Sequence, residues 1–205
     1  MKKINRSRIF AALAIAALTV NAAAQTQPKY PVRRLETPAT WESDGWKAVE
    51  KAANLRANNK RPKNVILFIG DGMGIATLTA ARIFEGQRRG ESGEENLLSF
   101  EAFPYSALSR TYQTNQQTPD SAPTMSAIMT GQKTKDGVIA VNQNVVSGDH
   151  ATVKGNEAKT LVQYAEEAGL STGIVSTARL THATPAACYA HSPARWWASD
   201  ADIKT

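Results

Sequence analysis

Three short stretches place reactive groups just past apolar runs. The first is Asp71, in Gly70-Asp71-Gly72-Met73-Gly74. The second is the pair Asp120-Ser121. The third holds His182, Thr184 and Arg195, in and just past Thr181-His182-Ala183-Thr184-Pro185. A carboxylate such as Asp71 is costly to desolvate without a partner. A metal ion, a cationic substrate group or a helix N-terminus would each serve. Ser121 stands at a strand-to-helix turn, with Pro123 in the first turn, where its missing N–H costs nothing. Two readings of Ser121 stay open. It caps the helix, or it is a nucleophile whose anionic adduct is held by helix N–H groups. A metal ion lowers a hydroxyl pKa, so no histidine base need lie near in sequence. The chain has no G-x-S-x-G elbow, which argues against an α/β-hydrolase triad. Arg195 offers a planar fork of donors suited to phosphate or sulfate. His182 and Thr184 point the same way only if the backbone there is extended. Taken singly, a lone histidine is more often surface or satisfied core, and a lone arginine more often solvated.

The elements that would position these groups alternate in type. Val65-Ile66-Leu67-Phe68-Ile69 is a continuous apolar run closed by glycine. Such a run predicts a strand buried on both faces of a parallel sheet. Asp71 then falls at its carboxyl end, where open α/β sheets place ligands. Weak alternation over 106–114 and β-branched residues over 171–177 predict a second and a third strand. Helical spacing predicts helices over 75–86, within 118–131, and over 157–168, the last with Gly169 as C-cap. A helix over 41–54 would carry Trp46, Val49 and Ala53 on one face. Residues 97–103 suggest one or two helical turns ended by Pro104, and 138–146 a strand pair or an irregular excursion. The order predicts an α/β fold, a three-layer α/β/α arrangement around a central, largely parallel sheet.

Length and composition fit one medium domain. The 205 residues are 42% hydrophobic and 20% charged, which is ordinary for a globular chain. Residues 1–24 have a basic start (Lys2, Lys3, Arg6, Arg8), an apolar middle and a small-residue end, and are expected to be a cleaved signal peptide. The apolar run is short of the roughly 20 residues a membrane span needs. Without those four basic residues, 20 remain against 18 acidic ones, so the formal charge falls from +6 to +2. The basicity is therefore no sign of nucleic-acid specificity. Residues 25–62 are expected to form a polar, proline-containing arm, and 63–205 the catalytic part. Cys188 is the one cysteine. It is expected to be a buried, inert thiol.

The order and spacing of the three stretches resemble a known family. GDGMG after a buried strand, PDSA fifty residues on, and HATPA followed by an arginine past YAH look like the N-terminal portion of an alkaline phosphatase. The resemblance runs from about Lys63 to Asp202. It implies a hydrolase of phosphate monoesters that works through a phosphoserine in a Zn2+/Mg2+ site. It implies that Asp71 bridges a zinc and the magnesium, that Ser121 is phosphorylated and faces that zinc, and that Asp120 helps position Arg195. Arg195 would fork onto two phosphate oxygens, and Thr184 would be a hydroxyl ligand of magnesium. His182 falls near the magnesium, in a second shell, without necessarily binding it. A periplasmic or secreted location and a homodimer of the full-length protein go with this reading.

The chain departs from the family pattern in two ways. Pro123, Met125 and Met129 intrude where small residues usually follow the serine, so altered helix packing is expected. The remaining metal ligands of the family lie downstream of the matching segment, and His150 and His191 sit outside the positions those ligands would need. For zinc only Asp71 and Ser121 can be counted, while catalytic zinc takes at least three protein ligands. The piece alone is therefore expected to be inactive and poorly stable, with an unpaired apolar sheet edge. Trp196-Trp197 is expected to pack in the core. The alternatives are a sulfatase-like or phosphodiesterase-like member of the superfamily, whose local motif is not seen at Ser121, and a truncated non-catalytic fragment that binds phosphate or metal through Asp71 and Arg195.

Overall fold

The structure, a computed structural model, describes residues 37–203. The expected signal peptide and the start of the N-terminal arm lie outside the described residues. The chain divides into two compact units, one drawn from Met1–Val65 and Met73–Ser106, the other from Ile66–Gly72 and Ala107–Thr205.

In the first unit, helix α1 spans Pro38–Ala53. It starts earlier than apolar spacing suggests because Thr37 and Thr40 form a reciprocal capping box and Pro38 occupies the first helical position. No residue of α1 is buried, so Trp46 and Val49 face solvent. Helix α2 spans Ile75–Arg88. Its C-terminal turns pack on the loop that follows. The buried Asn96 side chain donates to Arg82 O and to Glu85, and accepts from Arg89. Gly93 permits this approach, since a Cβ there would lie 2.4 Å from Ile83 O and the backbone is left-handed at φ +99°. Residues 97–103 make isolated turns rather than a helix, with Glu101 N–H donating to Leu98 O and Phe103 N–H to Phe100 O.

The second unit contains α3 (Ser121–Thr130), α4 (Leu161–Glu167) and the single turn α5 (Ala183–Ala186). Asp120 caps α3, and Gly131 ends it in the left-handed region at φ 72°. A Thr160–Gln163 capping box starts α4. This helix is shorter than the spacing predicts because Glu157 instead forms an antiparallel bridge with Val141. A second such bridge joins Ile139 to Ser192. The 138–146 segment is thus the irregular excursion, held by two bridges.

The core of this unit is a contact of small residues. Ala122, Met125 and Met129 of α3 pack with Ala183, Ala186, Ala187 and Cys188 around α5, and with Ile139 and Ala140. The two methionines, whose arrival in α3 seemed disruptive in the sequence, fill the gaps between alanines, as flexible thioethers do. Val138, Val141, Val145 and Val153 form a second cluster. Two buried hydroxyls tie the pieces together. Ser126 donates to Ala122 O and accepts from Ala140 N–H at 2.8 Å. Thr160 donates to Cys188 O at 2.8 Å.

The central parallel sheet is not evident in the described residues. The three expected strands form no ladder, and apart from the buried Gln113 and the partly buried Ile174 their side chains are exposed. Phe68 is 88% exposed, Leu108 98% and Val175 100%. The expectation that Val65–Ile69 is buried on both faces is therefore corrected. A strand is buried by its neighbours and by helices laid over it, and the described residues supply neither. No helix among the described residues is long and apolar enough to cross a membrane.

Two measurements check this packing. Ser126→Ala strands the buried Ala140 N–H, and should lower the unfolding free energy by about 1–3 kcal/mol in urea titrations. Burial pushes the Cys188 thiol above its ordinary pKa, so less thiolate is present at any given pH. Alkylation at pH 8 should run about tenfold slower in the native protein than in denaturant.

Candidate functional site

Four of the six site residues singled out in the sequence form two polar pairs, Asp71 with Thr184 and Asp120 with Arg195, while His182 lies near the first pair and Ser121 adjoins the second in the chain. All six belong to the second unit.

The first group is Asp71, Thr184 and His182. Thr184 Oγ1 donates to Asp71 Oδ2 at 2.7 Å, across 113 residues of sequence. His182 Nδ1 lies 3.9 Å from the same oxygen. That is too long for a hydrogen bond, and His182 Nδ1 is buried without a partner. The convergence does not arise as the spacing suggests. His182 and Thr184 are not in a strand. His182 is the N-cap residue of α5, and Thr184 sits in its first turn. The turn is fixed from behind by the alanines packed on α3.

The second group is Asp120 and Arg195, with Ser121 next to Asp120 in the chain. Asp120 Oδ1 accepts from Ala122 N–H and lies 3.1 Å from Arg195 Nη1. The cap of α3 is therefore Asp120, and Ser121 is the first helical residue. This removes the reading in which Ser121 caps the helix. The same geometry limits helix α3 as an anion cradle. Ala122 N–H is taken by Asp120, Pro123 has no N–H, and the ladder begins with the next residue. Only Ser121 N–H remains, so an anion bound here depends on Arg195.

The backbone of Arg195 is pinned by donation to Gly137 O at 2.7 Å. Its side chain is only 11% exposed, and its Nε is buried without a partner. Its guanidinium lies over the Trp196 ring, 4.8 Å from the centroid. Trp196 itself is 69% exposed, so the expectation that it packs in the core is corrected. The Arg-Trp adjacency was the signal for this contact, and core packing was the wrong reading of it. Gly137 left no signal, because only its carbonyl is used.

The metal-binding capacity of these residues is partial. Asp71 and Thr184 place two oxygens 2.7 Å apart, close to the roughly 3 Å between neighbouring ligands of an octahedral Mg2+ with bonds of about 2.1 Å. The unpartnered His182 nitrogen points to the same place. Yet among the described residues no group of three or more His, Cys, Asp or Glu is arranged to hold a metal. The set suits an ion in kind and falls short of one in number.

Comparison with known proteins shows the family of the chain. The family model described as alkaline phosphatase matches residues 62–205. The chain is 46% identical over 167 residues to an alkaline phosphatase of Gadus morhua, covering 81% of this chain and 35% of that protein. It is 44% identical over 171 residues to the tissue-nonspecific isozyme of Gallus gallus, covering 83% of this chain and 33% of that one. The structure of alkaline phosphatase from the Antarctic bacterium TAB5 superposes with a TM-score of 0.53 at 30% identity, covering 68% of this chain and 35% of that chain. The solved neighbours are of the α/β class. The chain thus spans about a third of the length of the curated relatives it matches.

The double duty of Asp120 can be separated by substitution. Asp120→Asn keeps an oxygen for Ala122 N–H but loses the charge facing Arg195, while Asp120→Ala loses both. Denaturant titrations should find the alanine variant less stable than the asparagine one by about 1 kcal/mol, the usual worth of a cap.

Proposed function

The chain belongs to the alkaline phosphatase family, and we propose that it carries the attacking serine and the phosphate-binding arginine of a phosphate monoester hydrolase. One observation carries the reading. Ser121 is relieved of capping by its neighbour Asp120, and that same carboxylate oxygen faces Arg195. Ser121 thus carries a hydroxyl at a helix start without capping it, next in the chain to the carboxylate that faces Arg195.

In this reading the guanidinium of Arg195 forks onto two non-bridging phosphate oxygens. Asp120 holds its other edge. The Ser121 oxygen attacks phosphorus in line with the ester oxygen. The Ser121 O–P bond forms as the bond to the leaving alcohol breaks, and the alcohol departs with a proton. Water then cleaves the phosphoserine and releases inorganic phosphate, so one difficult displacement becomes two easier ones. Most of the catalysis is positioning and charge stabilisation, because charge spreads over the equatorial oxygens in transfer.

The family uses metal ions. We assign magnesium to Asp71 and Thr184, zinc to Asp71 and Ser121, and leave His182 beside the magnesium without ligating it. The remaining donors come from outside the described residues. When bound, these ions acidify the serine hydroxyl and the attacking water and neutralise developing charge.

Several further assignments belong to the same reading. Residues 1–24 direct export to the periplasm or outside, 25–62 form an arm, and 63–205 form part of the catalytic domain. The segments 64–69, 106–114 and 171–177 are strands of a central parallel sheet in the full-length protein, which pairs as a homodimer. The non-catalytic alternative predicts phosphate binding without covalent transfer.

Trapping the intermediate tests the proposal. Full-length, metal-loaded protein incubated with a phosphate monoester and quenched in acid should carry one phosphate on the peptide containing Ser121. Ser121→Ala should carry none and lose activity by on the order of 10³-fold or more. Phosphate found on another residue, or full turnover by the alanine variant, would sink it.

A further inference from the structure

Trp196 is hard to explain as packing. It is 69% exposed, and the described contact that uses its ring is with the Arg195 guanidinium, 4.8 Å from the centroid. Every other part of that guanidinium is accounted for. Its backbone is anchored on Gly137 O, its Nη1 faces Asp120 at 3.1 Å, and its Nε is sealed without a partner. No hydrogen bond from Nη2 is made among the described residues, so that edge is the one left for a ligand.

We infer that Trp196 is a positioning residue for phosphate, acting by holding the plane of the Arg195 fork. The inference rests on the assignment of Arg195 as the phosphate-binding group. An arginine side chain has several rotatable bonds, and forking onto two oxygens requires one orientation of its plane. Asp120 fixes an edge, which still allows the plane to rotate about that contact. A ring stacked on the face removes that rotation. The two constraints also differ electrically. A carboxylate neutralises the guanidinium and competes for its N–H groups, whereas an indole attracts the cation through its π face and leaves the in-plane donors free. An aromatic residue can therefore orient the arginine without weakening it toward an anion.

The test uses the full-length, metal-loaded protein and two readouts, the dissociation constant for inorganic phosphate by calorimetry and the kinetic constants for a phosphate monoester. Trp196→Ala should weaken phosphate binding by about 5- to 30-fold, the span of a stacked cation in a partly desolvated site. It should raise KM in parallel, with a smaller change in kcat. Trp196→Phe should recover most of the affinity. Trp196→Leu, apolar and bulky but without a π face, should behave like alanine. In an Arg195→Ala background, removing Trp196 should have no further effect on phosphate. Three results would overturn the inference: unchanged phosphate affinity in Trp196→Ala, full function in Trp196→Leu, or an equal loss on removing Trp196 with Arg195 already absent. If Arg195→Ala alone binds phosphate as the parent does, the arginine assignment fails and the inference fails with it. If Arg195→Ala loses phosphate while Trp196→Ala does not, only the role of the tryptophan falls.

Discussion

One carboxylate oxygen organises the site. Asp120 Oδ1 accepts from Ala122 N–H and faces Arg195 Nη1. The first contact sets where α3 begins, and therefore where the Ser121 hydroxyl stands. The second sets the edge of the guanidinium relative to that same point. Because both pass through one atom, the serine and the arginine, 74 positions apart in sequence, share a reference. The first contact is a directional hydrogen bond, and the second is an ion pair at 3.1 Å that holds the guanidinium close by charge. The arrangement also explains why Ser121 is free. A helix start needs an acceptor, and the residue before the serine supplies it.

The other half of the site depends on small side chains. Thr184, which donates to Asp71, stands on α5, and α5 lies close against α3 because the contact is made of Ala122, Ala183, Ala186 and Ala187 with two methionines as filler. Larger residues would hold α5 farther off and carry Thr184 away from Asp71. The buried hydroxyls of Ser126 and Thr160 stiffen this packing at little cost in volume, each satisfying a backbone group that would otherwise be orphaned. Local packing, not the sheet, holds these residues here. Residues 66–69 and 107–112 are exposed, while in 171–177 Ile174 packs, partly buried, on the cluster around α3 and α5.

How much of this could be read from sequence follows the range of the interactions. Helix starts are set locally, by Thr37, Asp120 and Thr160 side chains that bond two or three residues on, yet hydrophobic spacing alone misplaced the starts of α1 and α4. The reach of α4 was overestimated because Glu157 is claimed by a bridge to Val141, a contact invisible to helical spacing. The strands failed as buried elements for a deeper reason. An apolar run such as Val65–Ile69 records that burial is available to it, but the partner that provides burial lies elsewhere in space. Motif spacing singles out the six candidate residues, but not the route by which Asp71 meets Thr184 or Asp120 faces Arg195. His182 and Thr184 converge through a helical turn rather than a strand. Trp196 was expected in the core because buried tryptophan is common, but its ring lies against the Arg195 guanidinium and is 69% exposed.

The charges of the assembled residues bear on what the site must recruit. Asp71 and Asp120 are two carboxylates, and Arg195 is the single fixed cation among the six site residues. With His182 neutral the set carries one net negative charge, and a bound phosphate dianion would raise this to three. Like charges brought together repel, and Asp71, its side chain 45% exposed, is open to a compensating cation. Arg195 cannot offset this alone, being already shared with Asp120. Recognition of a dianion here therefore requires further positive charge close to Asp71. The oxygens of Asp71 and Thr184 and the unpartnered His182 nitrogen face the place where such charge would sit. A compact divalent ion meets that demand better than a lysine or arginine. It brings twice the charge, accepts oxygen donors at about 2 Å, and leaves the phosphate oxygens room to approach. In the proposed reading, cations would sit on the side of Asp71 and Arg195 would supply the directional part of the grip.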